Sequence, residues 1–179
     1  TSTASLLRFE SVSHQLLGDD EPKFSNLTFM LPPASCVVLT GALGCGKSAA
    51  LRMIVGMEAP HSGRITVEQT ALDGLNEDGL DNVRKRIGYV PEKGALLSNL
   101  NLFENMVLPY RYHAEPTEDE VDTRAKETLE LLRMPPLPRV IPPNASSSLR
   151  RQVALARALI LRPPLLVLDS PVTGMDHNS

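Results

Sequence analysis

The stretch GALGCGKSAALRMIVGMEAP, residues 41–60, decides how the rest of this sequence is interpreted. It begins with the pattern G-x-x-x-x-G-K-S, the spacing of a loop that binds phosphate through its backbone N–H groups. The run CVVLT at 36–40 precedes it and is typical of a buried parallel strand. A helix predicted over 47–57 would point its positive N-terminal end at the phosphate. This context favours a phosphate-binding loop over a chance glycine turn.

The composition limits the classes of protein to consider. The 179 residues are 42% hydrophobic and 22% charged, as in a globular protein of one domain with or without an insert. The net charge is −3 without a basic block, so nothing in the charge favours a nucleic-acid partner. No apolar run is long enough to span a membrane, and no secretory signal is recognisable. Cys36 and Cys45 fit no zinc or redox spacing and are expected to be buried or half-buried thiols in a reducing cytoplasm.

Short strands and helices alternate along the chain. Apolar or alternating residues predict strands at 5–9, 27–31, 64–67, 87–90 and 164–169. Thr117 and Glu120 have the spacing of a capping box and predict the start of a helix, and 146–161 predicts another helix. The proline-rich stretch 135–144 is predicted not to be helical. Strands alternating with helices favour an α/β fold with a parallel sheet, in which 95–161 is a mostly helical insert.

Three further segments, together with the phosphate loop, resemble the ATP-binding subunits of ABC transporters across nearly all of the chain. RIGYVPEKGALLSNLNLFENMVLP (86–109) resembles the Q-loop and the start of the helical subdomain. SSSLRRQVALARALILRPPLLVLDSP (146–171) resembles the signature helix running into Walker B, and VTGMD (172–176) resembles the D-loop. The phrases GALL, FENMVLP and TGMD are similar to the lipid-handling, Mce-associated branch of that family.

The resemblance implies a P-loop NTPase core of the α/β class, with N-terminal antiparallel β strands and an inserted helical subdomain. Residues 1–94 would form the ATP-binding core, 95–161 the helical subdomain with the signature helix, and 162–179 the Walker B strand and D-loop. It further implies Mg²⁺ and ATP as cofactors, a membrane-spanning subunit as partner, and a second ABC-type subunit in a homo- or heterodimer. The chain would then be cytoplasmic and bound to the inner face of a membrane through that partner.

The motif and the resemblance assign site residues in three groups. Nucleotide contacts fall on the loop and the first helical residues, which are Gly41, Gly44, Cys45, Gly46, Lys47, Ser48 and Ala49. Within that group the lysine would reach the β- and γ-phosphates. The resemblance implies magnesium ligands at Ser48, Asp169 and Glu92. It also implies that Ser146 and Ser148 of the signature face a nucleotide.

Several positions depart from the family pattern. Walker B ends in Asp-Glu in the family, but here Asp169 is followed by Ser170, whose hydroxyl cannot take up a proton at neutral pH. The signature Leu-Ser-Gly-Gly-Gln aligns with ASSSL at 145–149. The Q-loop glutamine is Glu92, which is also a candidate for a substitute base. An adenine-stacking aromatic is expected near residue 16, where the sequence has two leucines, so we expect weaker base stacking and a looser nucleotide preference.

The positions of these departures predict a chain that binds ATP but hydrolyses it poorly. The Walker B change affects the chain's own site, and the signature change affects a partner's site, so neither composite site would be complete. A structural or regulatory role in a transport complex follows. The alternatives are a working ATPase in which Glu92 or a partner residue replaces the lost base, and a scaffold that has lost nucleotide binding. The sequence stops at Ser179, where the family continues with a helix, a strand and a histidine switch, so we expect either a fragment, which we favour, or a rearranged core.

Overall fold

The computed structural model describes residues 5–15 and 22–171, and the chain folds as two compact units. The first unit ends at Arg84 and the second begins at Lys85. The predicted division into 1–94, 95–161 and 162–179 stays a prediction.

An antiparallel sheet forms the base of the first unit. Its strands are β1 (Leu7–His14), β2 (Phe24–Leu31), β3 (Ser62–Val67) and β4 (Thr70–Ala71), in the order β2-β1-β3-β4. The ring of Phe9 is fully buried and stacks on Phe29 of the neighbouring strand, with 4.6 Å between the ring centroids. Pro32 follows directly after β2, as expected for a residue that cannot donate to a strand ladder. The strands predicted in this part of the sheet are confirmed.

Two helices accompany this sheet, α1 (Lys47–Ile54) and α2 (Glu77–Arg84). The helix predicted after the glycine loop is therefore present, although it ends before residue 57. Met53 and Ile54 of α1 are buried, so one face of this helix belongs to the core of the unit. The guanidinium of Arg84 donates to the carbonyl oxygens of Val55 at 3.1 Å and Gly56 at 3.2 Å, which fastens the end of α2 to the turn after α1.

Residues 36–40 do not form the strand that their β-branched side chains predict. They have no strand conformation, and Val37 and Val38 are 43% and 75% exposed. A buried parallel strand needs neighbours that pair its N–H and C=O groups, and none of the strands in the described residues pairs with this run. Cys36 is exposed as well, so the expectation of a buried or half-buried thiol is wrong there, whereas Cys45 is half-buried.

The second unit contains a parallel pair of strands, β5 (Ile87–Val90) and β6 (Leu165–Leu168). Ile87 lies opposite Leu165 and Val90 opposite Leu168, so the pair is in register along its whole length. Both predicted strands are confirmed. Because the strands are parallel, the residues that follow them leave the pair at the same edge.

Three longer helices form the rest of the second unit: α3 (Leu102–Ala114), α4 (Glu118–Leu131) and α5 (Ser147–Leu159). They share an apolar core made of Leu102, Met106, Val107, Val121, Ala125, Leu129, Val153, Ala156 and Ile160. A short 3₁₀ turn at Pro142–Asn144 lies in the stretch predicted not to be helical. Proline is tolerated at the start of such a turn because its missing N–H would have no partner there.

Each of these three helices begins at a polar side chain that accepts a backbone hydrogen bond. The caps are Asn101, Thr117 and Ser146. Thr117 and Glu120 form the predicted capping box, in which the N–H of Thr117 donates to the Glu120 carboxylate at 2.8 Å. This hydrogen bond and a second one from the Thr117 hydroxyl lower the pKa of Glu120. The first turns of α3, α4 and α5 are therefore each capped by the side chain of the N-cap residue.

Replacing Gly88 with alanine should destabilise the second unit. A Cβ at this position would lie 2.5 Å from the carbonyl oxygen of Ala158 in α5, and backbone cannot move aside as a flexible side chain can. We expect Gly88→Ala to lower the free energy of unfolding by about 1–3 kcal/mol, measured by urea denaturation. Gly79→Ala is the control, because its Cβ would meet the flexible Leu75 side chain and alanine favours the helix. Equal stability of Gly88→Ala and the parent protein would contradict the packing described.

The signature serines should differ in their contribution to stability. The Ser146 hydroxyl accepts the N–H of Leu149 at 3.2 Å and caps α5, whereas Ser148 lies exposed in the first turn. Ser146→Ala should cost about 1 kcal/mol. That loss corresponds to a fall in melting temperature of roughly 2–4 °C. Ser148→Ala should leave the melting temperature nearly unchanged, and an equal fall for both variants would show that the cap has no effect.

Candidate nucleotide-binding site

The glycine loop enters α1 through two residues with positive φ. Gly44 has a φ of 79° and Gly46 a φ of 92°, conformations that glycine adopts without strain. Gly46 is the N-cap of α1, and its carbonyl accepts the N–H of Ala50 at 2.9 Å. No side chain caps this helix start. The first turn of α1 therefore offers backbone donors and a positive dipole end to an anion.

The ammonium group of Lys47 lies across the loop. Its Nζ donates to the carbonyl oxygens of Gly41 at 2.9 Å and Ala42 at 2.8 Å, and it lies 3.8 Å from the Sγ of Cys45. The structure thus brings Gly41, Cys45 and Lys47 together, and their contact with a nucleotide stays a prediction. A phosphate oxygen could take the place of a carbonyl as acceptor, since lysine offers three donors.

The last two predicted loop residues lie in the first turn of α1. Ser48 is half-buried, and Ala49 is 5% exposed with its side chain in the core. Only the backbone N–H of Ala49 could therefore contact a phosphate. The assignment of Ser48 to magnesium stays a prediction.

Asp169 and Glu92 follow neighbouring strands of the second unit. The N–H of Asp169 donates to the carbonyl oxygen of Val90 at 2.9 Å, so the ladder of β5 and β6 extends to this residue. Asp169 is 7% exposed, whereas Glu92 is exposed. The parallel register places both residues at the edge where the strands end. Their roles as magnesium ligands stay predictions.

Ser170 follows Asp169, at the position where the resemblance predicts a catalytic glutamate. Its φ is 51°, and its hydroxyl donates to Oδ1 of Asp169 at 3.2 Å. A serine hydroxyl that donates to a carboxylate is a hydrogen-bond donor and not a proton acceptor. The structure therefore supplies no carboxylate at this position.

The turn after Glu92 is fastened to α5 by Arg157. Its guanidinium donates to the carbonyl oxygens of Gly94 at 2.7 Å and Ala95 at 2.8 Å. Burial lowers the pKa of this guanidinium from its ordinary value. Ala95 has a φ of 46°, an uncommon conformation for alanine, which these hydrogen bonds help to hold.

Sequence reasoning did not identify Arg157 as a positioning residue. The available signal was an arginine flanked by two alanines on a helix with a buried face. Arg150, by contrast, donates to the carbonyl oxygen of Ala145 at 2.5 Å and orders the start of the signature segment.

The signature serines form the exposed start of α5. Ser146 uses its hydroxyl as the helix cap, and Ser148 lies in the following turn. Contact of either residue with a nucleotide stays a prediction. The leucines at 16 and 17 and the VTGMD segment at 172–176 lie outside the described residues.

Across the described residues, no helix has both the length and the apolar character that crossing a membrane requires.

Comparison with known proteins supplies the family. A family model described as ABC transporter matches residues 24–173. The intermembrane phospholipid transport system ATP-binding protein MlaF of Escherichia coli K12 is 30% identical over 153 residues, which are 86% of this chain and 57% of MlaF. The cell division ATP-binding protein FtsE of Haemophilus influenzae is 30% identical over 171 residues, covering 96% of this chain and 78% of FtsE. The chain thus spans little more than half the length of MlaF.

Solved structures agree in fold. The dimeric structure of MJ0796, a bacterial ABC transporter cassette, is 26% identical with a TM-score of 0.87, covering 95% of this chain and 76% of that one. A post-hydrolysis state of the same cassette bound to ADP and Pi is 25% identical with a TM-score of 0.86, covering 96% and 76%. The predicted P-loop fold is confirmed, and MlaF fits the lipid-handling branch suggested by the sequence. This chain belongs to the ABC transporter family.

Proposed function

We propose that this chain binds Mg-ATP in an ABC-type transport complex, hydrolyses it slowly or not at all, and acts there as a structural or regulatory subunit. The observation that carries this proposal is the hydrogen bond from Ser170 to Asp169, at the position where the family has its base. The uncapped start of α1 and the Lys47 ammonium support the binding of the triphosphate.

The side chains at the site are suitable for binding Mg²⁺ together with the nucleotide. Mg²⁺ prefers oxygen ligands and is usually held by one or two carboxylates together with substrate phosphates. Ser48 and Asp169 offer a hydroxyl and a carboxylate, which are ligands of that kind. The metal would neutralise charge on the phosphates and help to orient them.

Slow hydrolysis follows from the lost base. A positioned general base typically contributes about 10²–10⁴-fold to the rate. That factor corresponds to roughly 3–5 kcal/mol of barrier. Ser170 cannot replace it, because its hydroxyl is directed at Asp169. Glu92 has a carboxylate, but its side chain is exposed. The hydrogen bonds from Arg157 hold the turn at Gly94 and Ala95 and do not position Glu92 itself.

The partners belong to the proposal as well. The dimeric MJ0796 cassette supports a second ABC-type subunit, and family membership supports a membrane-spanning subunit that holds the chain at the cytoplasmic face. Glycines of the signature are serines here, so a partner that completes its site with α5 of this chain would also be impaired. A subunit of an asymmetric pair with one inactive site would need to lose only the base or only the signature glycines. The loss of both is better explained by a regulatory role.

Lys47→Ala should weaken nucleotide binding. Lys47 places its ammonium group at the loop. Hydrogen bonds to charged groups contribute about 1.5–3 kcal/mol, so losing this one should lower the affinity roughly 10- to 100-fold. Titration of the full-length protein with a fluorescent ATP analogue in Mg²⁺ measures this change. Lys126→Ala, at a surface lysine of α4 that is 77% exposed, is the matched control. Equal affinity of Lys47→Ala and the parent protein would show that the loop does not hold the nucleotide, and undetectable binding by the parent protein would favour the scaffold.

Steady-state ATPase activity separates a regulatory subunit from a working enzyme. At saturating Mg-ATP, we expect turnover about 10²–10⁴-fold below that of a family member with the glutamate, assayed in parallel. Glu92→Gln should leave this residual rate unchanged. A rate comparable to the glutamate-containing protein, lost in Glu92→Gln, would show instead that Glu92 is the base.

A further inference from the structure

The stretch MPPLPRVI, residues 134–141, connects the end of α4 to the 3₁₀ turn before α5, and we call it the proline segment. It contains neither helix nor strand. The N–H of Met134 donates to the carbonyl oxygen of Leu129 at 2.9 Å, and the N–H of Leu102 donates to that of Val140 at 2.9 Å. The segment is therefore attached to α4 at one end and to the start of α3 at the other.

Proline restricts the backbone through the first part of this segment. Pro135, Pro136 and Pro138 have φ fixed at about −65° by their rings. Met134 and Leu137 each precede a proline, and steric clash with its ring pushes them to extended or polyproline II conformations. The covalent structure thus confines the whole stretch to one region of backbone conformation. Little conformational freedom is left to lose when a partner binds it.

Every third residue of the proline segment packs on the second unit. Met134, Leu137 and Val140 are half-buried and contact the apolar core shared by α3, α4 and α5. The residues between them are exposed, namely Pro135, Pro136, Pro138 and Arg139. A polyproline II helix has three residues per turn, so this spacing is expected when one of its edges packs and the other two face solvent. The prolines are therefore displayed on the surface of the unit.

Arg139 adds a positive charge beside the displayed prolines. The chain bends at this residue, and its guanidinium lies over the ring of Phe103, 5.3 Å from the ring centroid. Within residues 5–15 and 22–171, no carboxylate forms an ion pair with it. A partner can therefore meet this charge with a carboxylate of its own.

We propose that the proline segment is a docking site for a partner protein whose groove is lined by aromatic side chains and has a carboxylate at one end. Grooves of this kind bind proline-rich segments in SH3, WW and EVH1 domains, because the preformed polyproline II conformation loses little entropy on binding. Pro135 and Pro138 have the P-x-x-P spacing that such grooves bind, and Arg139 supplies the complementary charge. The segment belongs to the second unit and the phosphate loop to the first, so the proposal does not depend on nucleotide binding.

The test is a titration of the full-length protein against a panel of purified SH3, WW and EVH1 domains, followed by calorimetry. We expect saturable binding to at least one domain that has acidic residues beside its groove. A peptide of P-x-x-P spacing that fills the same groove should displace the protein. Because the contact of Arg139 is electrostatic and near the surface, the affinity should fall as the salt concentration rises.

Substitutions in the segment show whether it makes the contact. Pro138→Ala should lower the affinity for that domain about tenfold, since it removes a central apolar contact and loosens the backbone. Arg139→Glu should weaken binding by a similar factor, and Arg139→Lys should keep most of it, because the charge is preserved. Pro33→Ala is the matched control, at an exposed proline of the first unit, and should bind like the parent protein. The melting temperature of each variant, measured in parallel, should stay near that of the parent.

Three results would overturn the proposal. The first is the absence of binding between the parent protein and every domain of the panel. The second is binding by Pro138→Ala and Arg139→Glu that is as tight as that of the parent. The third is self-association of the parent that Pro138→Ala abolishes, without binding to any domain, which would assign the segment to a second copy of this chain. Failure of the parent to bind ATP would overturn the proposed function and leave this proposal standing.

Discussion

At Gly46 the chain turns into α1 with a φ of 92°, and the ring of Phe24 lies where any other residue would have its side chain. This close approach fixes the loop, and it also decides how the start of α1 is satisfied. The helices of the second unit begin at residues such as Asn101 and Thr117, whose oxygens accept the N–H groups of the first turn. Glycine has no such oxygen, so no side chain caps α1. Side chains thus meet this requirement at those helix starts of the second unit, and the proposed phosphate would meet it at α1.

The residues proposed to hold the phosphate and the position of the proposed lost base lie in separate parts of the chain, so a change in one need not affect the other. Asp169 is fixed by its N–H bond to Val90, as an extension of the ladder between β5 and β6. Ser170 comes after this ladder, in a left-handed conformation, and its side chain contributes to no strand pairing. A change at this position can remove the base while the strand and its aspartate remain in place.

How far the sequence predicts the fold depends on whether the determining contacts are local. The strand at 87–90 and the capping box at Thr117 were predicted because adjacent residues carry the whole signal. The run at 36–40 has the same β-branched character as β5, yet it forms no strand among the described residues, because pairing needs a neighbour that its own sequence cannot supply. The helix α2 was not predicted, since it is mostly polar and carries Gly79 in its interior.

The same distinction between local and long-range contacts applies to the candidate site. The spacing of the glycine motif identifies the loop residues directly, because the chain itself brings Gly41 and Lys47 together over a few residues. Phe24 and Arg157 carry no motif. The first touches Gly46 from the start of the strand β2, and the second, in α5, binds the turn at Gly94, which is far from it in sequence. Both act on backbone: one occupies the space beside a glycine, and the other binds carbonyl oxygens. Such contacts follow from shape and donor geometry rather than from residue spacing, so only the folded structure reveals them, and a motif identifies the binding loop without identifying what supports it.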